Sequence, residues 1–189
     1  MYSALPLLTR MSKKVLYLHG YGSTGETDTA KNLRIFLSPE FELISPTYDC
    51  SNPRLAASQL TSVMESLDSS NIVVVGTSLG GFFANYLSRQ RSIPAVLVNP
   101  SLHPSKSLAK YGESEEALAG YAELEAAAGY RTATCRRIVV LGMEDTVLDH
   151  KENGLQLTDA AVVALKMGHR ISPEYYTTIA GLIRELAQA

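Results

Sequence analysis

Cysteine is scarce in this chain of 189 residues: only Cys50 and Cys135 occur, far apart in sequence. Their spacing fits neither a metal site nor a redox pair, and unpaired thiols are at home in reducing compartments. An excess of basic charge is missing too. Seventeen Lys and Arg stand against nineteen Asp and Glu, for a net charge of −2 and no basic stripe. A surface that neutralises nucleic-acid phosphates is thereby excluded. Long apolar runs are also lacking. The longest, Ile72 to Val75 and Ile93 to Val98, are strand-sized against the roughly 18 to 20 residues that cross a bilayer. Leu5 to Leu8 is too short for a signal-peptide core, and Arg10, Lys13 and Lys14 follow it rather than precede it. These absences set the expectation of a cytoplasmic protein with no membrane span, in which residues 1–12 form a flexible extension and Met11 is an alternative start.

What is present is a globular composition, 46% hydrophobic and 19% charged, which neither a disordered nor a fibrous chain would show. Short aliphatic runs recur at Val15 to Leu18, Leu43 to Ser45, Ile72 to Val75, Ala95 to Val98, Ile138 to Leu141 and Ala161 to Leu165. They are continuous rather than alternating, as in strands of a parallel sheet covered on both faces. Helical segments lie between most of them. Asn52 and Pro53 supply an N-cap and first turn, with Leu55, Leu60, Val63, Met64 and Leu67 as the apolar face. Ser172 and Pro173 open a last helix with Ile179, Leu182, Ile183 and Leu186 inward. The βαβα rhythm predicts a single α/β domain spanning 1–189, with about six mostly parallel strands flanked by helices. Residues 103–134 exceed an ordinary crossover, and the Ala-, Glu- and Leu-rich stretch Ser114 to Ala128 before Gly129 predicts a small helical cap insertion.

Gly76-Thr77-Ser78-Leu79-Gly80 follows a predicted strand and leads into a predicted helix, Phe82 to Arg89. In that context Gly-x-Ser-x-Gly is a nucleophile elbow: a strained turn thrusts the hydroxyl out, and glycines two residues either side avoid collision. The backbone N–H of Leu79 opens the helix and can donate to a developing oxyanion. A base and its orienting acid should then follow in the order Ser, Asp or Glu, His. Asp145 comes four residues after the strand ending at Leu141, and His169 four after the strand ending at Leu165. Both fall in loops at the carboxyl edge of a parallel sheet, where Ser78 also lies. His169 takes the role of base and Asp145 that of its orienting partner. Glu144 and Asp149 compete with Asp145, and His103 and His150 with His169, although neither histidine follows the last strand.

The first strand runs into Tyr17-Leu18-His19-Gly20-Tyr21-Gly22-Ser23. A second oxyanion donor belongs in this loop, and Tyr21 N–H is the candidate, with Gly20 and Tyr21 lining the substrate and His19 fixing the loop. The same loop, Gly20 to Gly25, also matches Gly-x-Gly-x-x-Gly, so nucleotide binding is a rival. Against it, Glu26 stands where a phosphate-binding lysine would be needed, and the next strand ends in Ser45-Pro46-Thr47 without a ribose-binding acid. A hydrolase-shaped binder without activity is a third class. Tyr111, Tyr121 and Tyr130 in the inserted segment either line an acyl pocket or pack the cap onto the sheet.

The motifs Tyr17 to Ser23, Gly76 to Ala84 and Pro94 to Pro100 together resemble the YqiA/YcfP-like family of small bacterial α/β-hydrolases, over most of residues 13 to 187. The resemblance implies a minimal α/β-hydrolase fold lacking the usual antiparallel edge strands, and a carboxylesterase or thioesterase acting on small acyl esters or thioesters. It carries over Ser78 as nucleophile, Asp145 as acid and His169 as base; a mechanism through these three side chains is expected to need no metal or organic cofactor. One departure is that the family's acid usually follows a glycine, whereas Glu144 precedes Asp145 here.

Overall fold

The computed structural model describes residues 13–67, 69–129, 136–150 and 159–188. Six strands form one sheet: β1 (Lys13–Leu18), β2 (Phe41–Ile44), β3 (Ile72–Thr77), β4 (Ala95–Val98), β5 (Arg137–Gly142) and β6 (Ala161–Leu165). Their order is β2-β1-β3-β4-β5-β6, and every neighbouring pair runs parallel. A strand buried on both faces has no polar side to show, which is why Val15 to Leu18, Val73 to Val75 and Ala95 to Val98 are unbroken apolar runs and almost wholly buried. The chain steps from β1 outward to β2 and then back across to β3. The order therefore reverses between β1 and β3, the switch point at whose carboxyl ends open α/β sheets place their sites.

Helices cover both faces. On one side α1 (Asp28–Leu37) packs against α6 (Tyr176–Leu186), burying Leu33, Leu37, Ile179 and Ile183 over Val15, Val73 and Val140. On the other lie α2 (Pro53–Glu65) and α3 (Leu79–Arg91), with Leu60, Met64, Phe82 and Phe83 against Leu16, Val74 and Leu97. Asn52 caps α2 as its sequence predicts, its side chain accepting from Leu55 N–H at 3.2 Å. Leu55 itself is 46% exposed rather than on the apolar face, because α2 buries Pro53, Ala56, Ala57, Leu60 and Met64 and so turns Leu55 outward. Ser172 and Pro173 open a 3₁₀ turn, Pro173–Tyr175, before α6 begins. The elbow starts α3 three residues earlier than the sequence pattern suggests, at Leu79.

The inserted stretch is helical, comprising α4 (Pro104–Ser107), a 3₁₀ turn Ala109–Tyr111 and α5 (Glu115–Gly129). Within it, α5 lies against α2, α3 and α4. Tyr121 explains the placement: fully buried, it packs beside Phe82 and Phe83 and donates its hydroxyl to Cys50 O at 2.6 Å. Tyr121 thus packs the insertion onto the body, whereas Tyr130 and Cys135 lie outside the described residues. Burial pushes the Cys50 thiol up to about 11, which leaves it a core side chain rather than a nucleophile. No helix among the described residues is long and apolar enough to cross a membrane.

Candidate active site

Ser78 sits between β3 and α3 with φ 54° and ψ −119°, a conformation that L-residues rarely adopt. Three backbone hydrogen bonds hold it there. Its N–H donates to Val98 O at 3.0 Å, and its carbonyl accepts from Gly81 N–H at 2.9 Å and Ser101 N–H at 3.0 Å. The flanking glycines are a steric necessity: a Cβ at Gly76 would stand 2.0 Å from Gly80 O. A Cβ at Gly20 would meet the Ser78 Cβ at 3.5 Å and its hydroxyl oxygen at 3.9 Å, so the serine side chain faces the loop that carries Tyr21. Leu79 is the first residue of α3, where helix geometry leaves N–H groups without an intrahelical acceptor.

The loops after β5 and β6 bring Asp145 and His169 together, with His169 Nδ1 2.8 Å from Asp145 Oδ2. The carboxylate side chain has no exposed surface. Its other oxygen accepts from Val147 N–H at 2.7 Å and Leu148 N–H at 3.2 Å. Burial pushes the Asp145 carboxyl up, but the hydrogen bonds from His169, Val147 and Leu148 outweigh it and hold the group below the usual aspartate range. Glu144, one residue earlier, is exposed, its backbone N–H fixed on Met167 O at 3.0 Å. The turn directs one acid outward and the other inward. Asp149 is likewise on the surface.

A lowered folded-state pKa stabilises the fold above the unfolded value, and that contribution is lost as pH falls through the folded one. Asp145→Asn should therefore destabilise the protein at pH 7 relative to wild type, and the gap should close as pH drops below about 4. Urea denaturation at pH 7 and again well below pH 4, where the native carboxyl is protonated, measures it. An equal gap at both would show that the carboxylate charge contributes nothing.

Two features escape the sequence. His150 does reach the acid: its Nε2 lies 3.0 Å from the same Asp145 Oδ2 that His169 uses. Proximity in sequence could have suggested this contact, but not that two imidazoles share one oxygen. The other is Glu113, which accepts the Tyr21 hydroxyl at 2.6 Å and pushes that phenol up to about 12. Tyr21 also stacks on the half-exposed Tyr111, with ring centroids 5.5 Å apart, and Lys110 beside it reaches Val147 O at 3.4 Å. The short segment 108–113 thus links the loop after β1 to the loop after β5.

His103 is on the insertion, with Nδ1 3.6 Å from Glu125, and does not join the Asp145 cluster. His19 is wholly buried and stacked on Tyr48, its Nδ1 2.9 Å from Gly20 O and its Nε2 3.4 Å from Tyr48 N–H. Those contacts assign the proton to Nδ1, and burial lowers the ring's pKa. It fixes the loop. In the glycine-rich loop Gly20 to Gly25, two backbone amides at its end are taken by threonine hydroxyls. Gly25 N–H donates to Thr47 Oγ1 at 2.9 Å, Glu26 N–H turns to Thr24 Oγ1 at 3.3 Å, and a Cβ at Gly25 would fall 2.0 Å from Ser45 O. The third glycine lets β2's end approach, and its amide is already engaged.

Residues 14–169 match the model of an uncharacterised protein family, UPF0227. A UPF0227 protein of Vibrio atlanticus is 28% identical over 151 residues, covering 77% of this chain and 83% of that protein. Among solved structures, the mouse α/β hydrolase domain-containing protein 10 superposes with a TM-score of 0.74 at 15% identity, covering 93% of this chain and 89% of that one. An esterase from Pyrococcus furiosus gives 0.71 at 14% identity, covering 93% and 82%. At those identities the likeness establishes the α/β-hydrolase fold.

Proposed function

Since the chain belongs to UPF0227, the family that its motifs resemble, we propose from its own geometry that it is a serine hydrolase cleaving small acyl esters or thioesters. The observation that carries the reading is the left-handed backbone at Ser78. Strain of this kind costs roughly 1–3 kcal/mol and persists at functional sites when surrounding contacts over-determine it. Those contacts are the three hydrogen bonds at Ser78.

With Nδ1 of His169 engaged by Asp145, its Nε2 is the nitrogen for the Ser78 hydroxyl. Ser78 Oγ bonds to the acyl carbon as its proton passes to His169, and the carbonyl electrons move onto oxygen. The N–H groups of Tyr21 and Leu79 receive that charge. Collapse breaks the bond to the alkoxide or thiolate, which takes the proton from His169 and leaves an acyl-enzyme. Water then attacks through the same base, releasing the acid and restoring Ser78. Asp145, ionised throughout, stabilises the imidazolium. No step calls on a cofactor.

Treatment with a fluorophosphonate probe followed by peptide mapping tests the assignment. Labelling at Ser78, without a melting shift from NAD or ATP, is the expected result. A nucleotide-induced shift in an unlabelled protein would favour the glycine-loop rival, and absence of both would point to a binder.

A further inference from the structure

Asn99 follows β4 directly, in the Asn-Pro step that contributes to the family resemblance, and it is wholly buried with φ 43°. A buried primary amide needs partners for its oxygen and both N–H bonds. Each partner is a backbone group of a site-bearing loop. The side-chain oxygen accepts from Gly142 N–H at 2.7 Å, at the end of β5 and three residues before Asp145. The side-chain nitrogen donates to Gly168 O at 3.0 Å and to His169 O at 2.9 Å, in the loop after β6. The assignment of oxygen and nitrogen is unambiguous, since an amide donor faces one end and two carbonyls the other.

The third connection runs through the backbone. Val98 O, immediately before Asn99, accepts from Ser78 N–H, while Asn99 N–H donates to Val140 O at 2.8 Å. Gly142 is bare for the same reason, because a Cβ there would stand 3.2 Å from the Asn99 nitrogen and 2.5 Å from both Met167 O and Gly168 O. One side chain thus ties the peptide bearing His169 to the end of β5 and, across a single residue, to the strand that anchors the serine.

We propose that Asn99 is a positioning residue that sets the His169 imidazole in register with both Asp145 and Ser78. The Asn99 contacts fix the His169 peptide and the bond to Asp145 fixes its ring; what the ring does there rests on the hydrolase reading. Two variants separate the contributions. Asn99→Gly accepts the left-handed backbone and deletes all three side-chain bonds. Asn99→Asp keeps an oxygen for Gly142 N–H but has no N–H for the carbonyls of Gly168 and His169.

Each variant of the full chain is assayed on an activated acyl ester, and histidine-¹⁵N NMR follows the Nδ1–H of His169, identified by its loss in His169→Gln. Both variants should lower kcat about 100-fold with KM within about threefold, the signature of a misplaced group rather than lost binding. The Nδ1–H signal should broaden or vanish in both. A moved signal in a protein whose wild type turns over no ester would sink the hydrolase reading and keep the positioning role. An unmoved signal, or kcat within about threefold of wild type, would overturn the inference. Failure of both variants to fold would also overturn it, because Asn99 would then be holding the sheet rather than the histidine.

Discussion

Ser78→Ala should lower kcat/KM toward an activated ester by roughly 10⁴- to 10⁶-fold, the loss typical when one member of a cooperating triad is removed. Folding should survive. The bonds that fix residue 78 are all backbone, from its N–H to Val98 and to its carbonyl from Gly81 and Ser101, and alanine keeps every one. Alanine also keeps the Cβ that makes φ 54° unfavourable. Glycine does not, so Ser78→Gly should be equally inactive yet more stable than Ser78→Ala by about 1 kcal/mol. Urea denaturation of the pair, beside their esterase rates, separates strain from chemistry. An alanine variant hydrolysing ester at the wild-type rate would end the serine assignment.

The second large effect concerns stability. At Gly80 an added Cβ would lie 2.0 Å from Leu18 O, 2.5 Å from Leu18 C and 2.6 Å from His19 O, all backbone atoms that no rotamer change can move. The start of α3 would have to withdraw from the end of β1. Gly80→Ala should therefore cost more than about 3 kcal/mol, at the upper end for overpacking. The same withdrawal would part Leu79 from the loop bearing Tyr21, so residual activity should fall further than the folded fraction does. Gly181 in α6 is the control, because a Cβ added there would meet nothing within 4 Å. Alanine at that position should stabilise by about 0.5–1 kcal/mol. If Gly80→Ala melts with the wild type, β1 and α3 do not approach each other so tightly.

The sheet is legible because a parallel strand between helix layers leaves an unmistakable trace: Ala95 to Val98 and Ala161 to Leu165 begin and end where the runs do. Burial on both faces does not extend to β6, which stands at the sheet edge with its side chains exposed or half-buried. The elbow is legible for a steric reason, since Gly76 and Gly80 are required by backbone contacts on either side of Ser78. Other parts depend on directions that one-dimensional spacing does not encode. Glu144 and Asp145 are neighbours of like charge, and only the turn that bonds Asp145 N–H to Gly142 O, with Glu144 N–H on Met167 O, decides which faces inward. His150 precedes the last strand and is disfavoured for it, yet distance brings it to Asp145. Asn99 reads as an ordinary strand-end residue, because its left-handed φ and its three partners, two of them near position 168 and one at 142, exist only once the sheet is formed. The insertion is legible as helical from composition but not in its placement. That depends on Tyr121 finding Phe82, Phe83 and the Cys50 carbonyl.

The tie that Asn99 makes across β4, β5 and the loop after β6 bears on the order of assembly. During synthesis, a chain translated as far as α3 already carries Ser78 and Tyr21, whereas His169 and the carbonyls that anchor it arrive some ninety residues later. Contacts so distant along the polymer close late, after the loop entropy between them has been overcome. Recovery of catalytic turnover in a refolding experiment should consequently lag behind recovery of helical dichroism, and a ribosome-bound fragment stopped before β6 should hold a serine with no partner to awaken it.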